Sequence, residues 1–574
     1  MHKFTHSMLS KFNKMTKLNQ TYKLMKSFKK DSLMLLSMTS FFLLSVLFFI
    51  AGCNRNEKNT RKIFRYNESS GIPTLDPAFA RNQAIMWPVH QLYSTLIEVD
   101  AQLHFKPLLA KHWEFSADRK TIRFELRTDV FFHDDPVFSN GKGRKMVATD
   151  VSYSLSRIAN PATASPGAWI FNNRLHPSQP FEAPNDSTFL LHLIEPFQPI
   201  VGMLTMPYCS ILPREAVEKY GTDFRRHPVG TGPFRFKAWE EGQGLVLSRN
   251  NHYFEKDEQG RAYPYLEGVY ISFFESKATE FMEFTQKRLH FMNDLDASFK
   301  DEILTHSGKL KKNWEGRLSL QKHPYLNVEY LGILSAEANP AMLHSPLAML
   351  KIRQAIQHSI DRKKMMFYLR NGIGTAANSG FVPLGLPSFD SIEVKGYDYN
   401  LQKARQLIKE AGYDDQHPAP EIKLITVPAY VSLASYVANS LKQSGLTVSV
   451  ETMQKSLLLE QTSKSQIPFF RGSWIADYPD AENFLGVFYS RNPAPPNYTR
   501  YANAAYDRLY EKALNEQVDS VRYQYYRAMD KLLMNDAIVI PLWYDMVLRL
   551  VQPEVEGFYP NSLNMLELRN TRLL

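Results

Sequence analysis

The sequence predicts a mixed α/β fold divided among two or three closely associated units, and three observations carry that expectation. The chain has 574 residues, too many for a single hydrophobic core. Residues 421–452 read as strand, helix, strand, with the two-residue and 3.6-residue periods clearly distinct. Beyond the N-terminal segment, no Gly/Ser linker, charge block, low-complexity tract or fixed-period repeat separates one unit from the next. The units are therefore expected to associate tightly, with the chain crossing between them.

Taken in order, the chain begins with a basic stretch (Lys23, Lys26, Lys29, Lys30) followed by a nearly all-apolar run over 33–51. This is the layout of an export signal. The run ends in Ile50-Ala51-Gly52-Cys53 and gives way to polar residues. Small residues just before a cysteine match the lipobox of bacterial lipoproteins, with Ile50 where Leu is usual. The alternative is a single transmembrane anchor, since the run could nearly span a bilayer. A start at Met25 would give the signal a more typical length. Further on, 121–133 begins with strand-like alternation, and 150–157 follows as a helix start with Asp150 as its cap. Asn400 caps a helix whose Leu401, Ala404, Leu407, Ile408 and Ala411 share a face, and Gly412 supplies the left-handed position after it. Residues 421–427, 430–443 and 446–452 form the strand–helix–strand unit.

The net charge of +10 suggests nucleic acid, but the first 52 residues hold eight Lys and one Asp, leaving only +3 spread along the rest. No basic footprint is left, so nucleic acid is excluded as a partner. Enzymatic motifs are equally sparse. The only His-x-x-x-His pair, His2 and His6, precedes the signal. No Gly-x-Ser-x-Gly or Gly-x-x-x-x-Gly-Lys occurs, and the Ser-x-x-Lys matches at Ser139/Lys142 and Ser319/Lys322 lack a Lys-Thr-Gly. No enzyme, cofactor or metal site is expected.

A series of segments, in order, carries a family resemblance. They are Ile72-Pro73-Thr74-Leu75-Asp76-Pro77, Leu109-Ala110-Lys111-His112-Trp113-Glu114, Phe132-His133-Asp134 and Ala148-Thr149-Asp150-Val151. Later come Pro228-Val229-Gly230-Thr231-Gly232-Pro233-Phe234, Ile352-Arg353-Gln354-Ala355 and Trp474-Ile475-Ala476-Asp477-Tyr478-Pro479-Asp480. Together they resemble the extracytoplasmic oligopeptide- and dipeptide-binding proteins of ABC importers, solute-binding protein family 5, over nearly the whole chain after Cys53. Departures include Asp135 in place of Gly, an insertion over 138–145, and Ile475 where some members have a cysteine.

The resemblance implies a two-lobed, three-domain periplasmic-binding-protein fold (class II) with a ligand cleft between the lobes. Its expected boundaries are 1–52 signal, 53–62 lipidated tether, 63–85, 207–322 and 541–574 for the first domain, 86–206 for the second and 323–540 for the third. It implies short peptides as ligands and ABC permease and ATPase subunits as partners. The protein would be a monomer, anchored in the cell envelope through Cys53 and facing the periplasm or the outer side of the cytoplasmic membrane. Nickel chelates, haem, sugars or a non-transport peptide receptor are the alternatives on the same fold.

All peptides share a backbone and two charged ends, so a general peptide site needs a carboxylate for the ammonium and strand-like backbone partners. The resemblance gives the ammonium to Asp477, with Trp474 walling the pocket, Gly472, Ser473 and Ile72 offering backbone contacts, and Arg471 pairing with a ligand carboxylate. Each has a structural alternative: a turn for Asp477 and for Asp480, a core position for Trp474, an internal ion pair for Arg471. With Cys53 lipidated, Cys209 is left as a buried, unpaired thiol.

Overall fold

A computed structural model describes residues 62–574 apart from 336–338. The expected signal over 1–52, Cys53 and all but the last residue of the tether lie outside the described residues. Among the described residues, no helix is long and apolar enough to cross a membrane.

The strands of the three main sheets are, in chain order, β1 (Ile63–Asn67), β2 (Ala110–Phe115), β3 (Thr121–Leu126), β4 (Phe181–Asn185), β5 (Thr188–His192), β6 (Phe234–Glu240) and β7 (Gly244–Arg249). They continue as β8 (Gly268–Ser272), β9 (Phe291–Asn293), β10 (Ser319–Ile333), β11 (Ile422–Thr426), β12 (Val448–Thr452), β13 (Phe469–Ile475) and β14 (Val539–Val551). The helices needed below are α1 (Gln83–Leu92), α2 (Ala148–Ala159), α3 (Leu401–Glu410) and α4 (Val431–Ser444).

Two four-stranded sheets serve the first lobe. One has the order β1-β8-β7-β6, with β1 parallel to β8 and Ile63 opposite Gly268. The other, β2-β3-β5-β4, contains the expected alternating strand: Ile122, Phe124 and Leu126 of β3 point into the core. Both sheets share one core with α1 and the C-terminal segment, where Phe64, Phe291 and Phe558 pack ring to ring. Trp87 and Gln91 of α1 donate to the carbonyls of Asn564 (2.8 Å) and Leu566 (2.6 Å), which ties the start of the lobe to its end.

A second core forms around the largest sheet, ordered β9-β14-β10-β13-β11-β12 with Thr375–Ala376 added beside β14. The expected strand–helix–strand unit is β11-α4-β12, with its strands parallel. Asn400 caps α3 by accepting the Lys403 N–H at 2.9 Å, and Gly412 follows at φ +93°. One local expectation needs correction. Asp150 is the third residue of α2, not its cap, and its carboxylate reaches back to accept the Val147 N–H at 2.9 Å. A carboxylate one turn inside a helix serves the same unpaired donors from within, so residue type alone does not set the boundary.

β10 and β14 are the long strands of this sheet and extend past it toward the first lobe, where β14 also carries β9. The expected domain boundaries at 322/323 and 540/541 fall inside these two strands. Their register shifts between Pro324 and Val328. There the Leu326 N–H donates to Ser562 O (2.9 Å) and the Leu326 carbonyl accepts from Ala476 (2.8 Å). Two side chains also cross between the cores: Leu103 joins the second, while Tyr478 joins the first beside Trp169 and Gly202.

Candidate functional site

Glycine spacing shapes the first lobe's side of the site. A side chain at Gly230 or Gly232 would strike the Leu92 or Gln91 carbonyl at 2.2 or 2.5 Å, so the Pro228–Phe234 motif lets the loop lie directly on the end of α1. His133 fastens it: its backbone N–H donates to Gly230 O, and its ring bridges the same loop. This holds α1 and the segment after it against a cavity of ≈ 270 Å³. The walls come from 98–103 and 205–207 of the first lobe, Ala476 and Asp477 of the second, and the C-terminal segment 557–570.

Asp477 is reached by water at the wall of this cavity. Enclosure by surrounding protein raises its pKa, and a 3.4 Å hydrogen bond from the Asn483 amide opposes that rise. Among the described residues, no cation pairs with it. Asn483 acts as a clip: its Oδ1 accepts from Trp474 Nε1 (3.1 Å) and from the Asp477 N–H (3.3 Å), and its carbonyl also accepts from Trp474 (2.9 Å). Tyr208, across the cavity wall, has its hydroxyl pushed up to about 12 by burial and by the Asp477 charge. Asp480 faces the other way, buried and ion-paired with Arg522.

β13 presents the remaining expected residues. Gly472 and Ser473 pair with Tyr330 and Glu329 of β10, and a Cβ at Gly472 would meet the Tyr330 ring at 2.4 Å. On its other side β13 pairs with β11 through Ile425 and Phe470 alone, so among the described residues 471–475 has no second strand neighbour. Arg471 is engaged within the protein: it pairs with the buried Glu329 and its guanidinium lies 3.4 Å from the Tyr430 ring centre. Burial pushes the Glu329 carboxyl up to about 7 against the pull of Arg471. Trp474 packs along the second core without lining the cavity, and Ile72 is buried in the first core, also away from it. Cys209 is a free, buried thiol whose pKa burial drives upward.

Sequence reasoning did not single out Asn483, Glu329 or the charged group Glu98, Glu567 and Arg569 on the cavity wall. Asn483 follows Asp477 by one turn-and-helix step and was open to local reasoning. The others meet their partners only through the fold.

Comparison with known proteins fits this arrangement. The family model of bacterial extracellular solute-binding proteins, family 5, matches residues 104–495. The chain is 25% identical over 513 residues to the periplasmic oligopeptide-binding protein OppA of Salmonella typhimurium, covering 86% of this chain and 89% of that one. Among solved structures it resembles HbpA2 of Haemophilus parasuis, with a TM-score of 0.76 at 21% identity, over 89% of this chain and 100% of that one. It also resembles a periplasmic binding protein, DppA, of Helicobacter pylori in complex with the peptide STSA, with a TM-score of 0.70 at 21% identity, over 90% and 99% of the two chains.

Proposed function

Because the chain belongs to the bacterial extracellular solute-binding proteins of family 5, we propose that it captures short peptides outside the cytoplasm and delivers them to an ABC permease driven by its ATPase. The observation that carries this reading is Asp477, a carboxylate with no cation partner among the described residues, set three residues after Trp474 on a cavity wall. An α-ammonium there supplies the missing charge. The unpaired side of 471–475 offers an extended ligand the backbone partners that strand addition requires. The oligopeptide-binding relative and the peptide-bound structural neighbour support the same ligand class. Arg471 is already neutralised by Glu329, so the ligand carboxylate is left to other donors or to water. No catalytic step is assigned.

The same reading includes an anchor at Cys53, with residues 63–85, 207–322 and 541–574 as the first domain, 86–206 as the second and 323–540 as the third. Hinge motion then falls on the register shift between Pro324 and Val328.

Mass spectrometry of the full chain purified from membranes tests both parts. Native spectra should release peptides with free amino termini, and the intact mass should include a diacylglyceryl group on a chain beginning at Cys53. Asp477→Asn should weaken peptide binding by about a hundredfold, because it removes the carboxylate proposed to hold the ligand ammonium. Unchanged affinity in that variant, or tight binding of N-acetylated peptides, would remove Asp477 from the site.

A further inference from the structure

Three carboxylates converge on one guanidinium beside the same cavity. Arg569 lies 2.6 Å from Glu98, 2.5 Å from Glu255 and 3.5 Å from Glu567, and His90 Nε2 is 3.1 Å from Glu567. Glu98, Glu567, Arg569 and His90 line the cavity together with Asp477. One guanidinium balances one carboxylate. With all three carboxylates ionised the group would carry more negative than positive charge, and Asp477 adds another carboxylate.

Four nearby basic side chains are engaged by other carboxylates. Arg471 is held by Glu329, and Arg370 by Asp545 at 2.5 Å. Lys106 and His104 serve Asp100. Burial, with Glu255 and Glu567 adding to it, pushes the Glu98 carboxyl up to about 7 despite the pull of Arg569. A proton held on Glu98 is thus how the site eases its own excess of carboxylates, and in a place where solvent screens charge poorly an arriving cation would displace that proton.

We infer that this acidic excess selects ligands carrying a second positive charge, so that among short peptides those with a lysine or arginine side chain are preferred. The inference rests on the peptide reading above, with Asp477 taking the ammonium and the Glu98–Glu567 wall taking the basic side chain. A neutral side chain leaves the excess unbalanced, and an acidic one adds to it, so discrimination comes from repulsion as well as attraction.

Calorimetric titration of the full chain in detergent tests it with Ala-Lys-Ala, Ala-norleucine-Ala, Ala-Glu-Ala and cadaverine. Norleucine keeps the length of lysine without its charge. The lysine peptide should bind about tenfold tighter than the norleucine peptide, with the glutamate peptide weakest. In a Glu98→Gln/Glu567→Gln variant the ratio of lysine to norleucine affinity should fall to within about twofold. Equal affinity for lysine and norleucine in the unaltered protein, or a glutamate preference, overturns the inference and leaves the peptide reading standing. Cadaverine binding without any peptide binding keeps the charge selection and overturns the peptide reading. No binding of any of the four overturns both.

Discussion

His133 has both ring nitrogens committed: Nε2–H donates to Gly232 O at 3.0 Å, and Nδ1 accepts the Gly230 N–H at 3.4 Å. Only the neutral ring can do both, and burial lowers its pKa to about 4. The unfolded chain binds this proton near pH 6.5 and the folded chain does not, so the contribution of His133 to stability falls as pH drops from about 6.5 to about 4. Buried carboxylates raised to about 7, such as Asp530 and Glu329, act in the opposite direction. A comparison with His133→Gln cancels them. The stability advantage of the parent over that variant should shrink by about 3 kcal/mol between pH 7 and pH 4 in denaturant titrations. A difference that does not change with pH would refute this account. The candidate residues differ in how readable they were. Asp477 was legible through the family resemblance, carried by its spacing from Trp474, whereas its local sequence alone reads as a turn. Arg471 was legible only as a pair of alternatives, because Glu329 reaches it across two strands. Glu98 and Arg569 lie 471 residues apart and leave no local pattern.

Between β10 and β13, the buried Glu329 forms an ion pair with Arg471. Removing one member of a buried pair leaves the other charge stranded, whereas replacing both with apolar groups is often tolerated. Arg471→Met should therefore cost about 3 kcal/mol at pH 8, because Glu329 loses the cation that lowers its pKa and must stay charged without a partner or take up a proton, and Glu329→Leu added to it should restore most of the loss. Two-way denaturation cycles measure this. Neutral-peptide affinity should stay within about threefold in the double variant. A loss confined to peptides with free carboxylates would return Arg471 to ligand binding. At this scale the sequence was most informative where structure is local: β3 by its alternation, α3 by Asn400 and Gly412, β11-α4-β12 by its switching period. It failed by two residues at α2, where Thr149 and Asp150 both suit a helix start. The bulge in β10 has one local signal, Pro324, which cannot donate to the ladder, but it also depends on Ser562 and Ala476 arriving from elsewhere.

Considered whole, the described residues hold two large cores and a smaller third, and the two large ones are joined by β10, β14 and the exchanged Leu103 and Tyr478. A ligand in the cavity touches walls from both lobes, so its binding energy should stabilise both. Peptide at a hundred times its dissociation constant should add about 2.7 kcal/mol to unfolding. Hydrogen exchange should slow together around 97–103 and around 469–477. Protection limited to one wall would place the ligand on that lobe alone. Trp87 and Asn564 are 477 residues apart, whereas the second core lies almost wholly within 326–544. A chain delivered N-terminus first therefore carries β1 and α1 without their final partners until Asn564 arrives. The second core has its residues in hand earlier. Assembly thus runs against the order of the sequence: the lobe that begins the protein is the last to be finished.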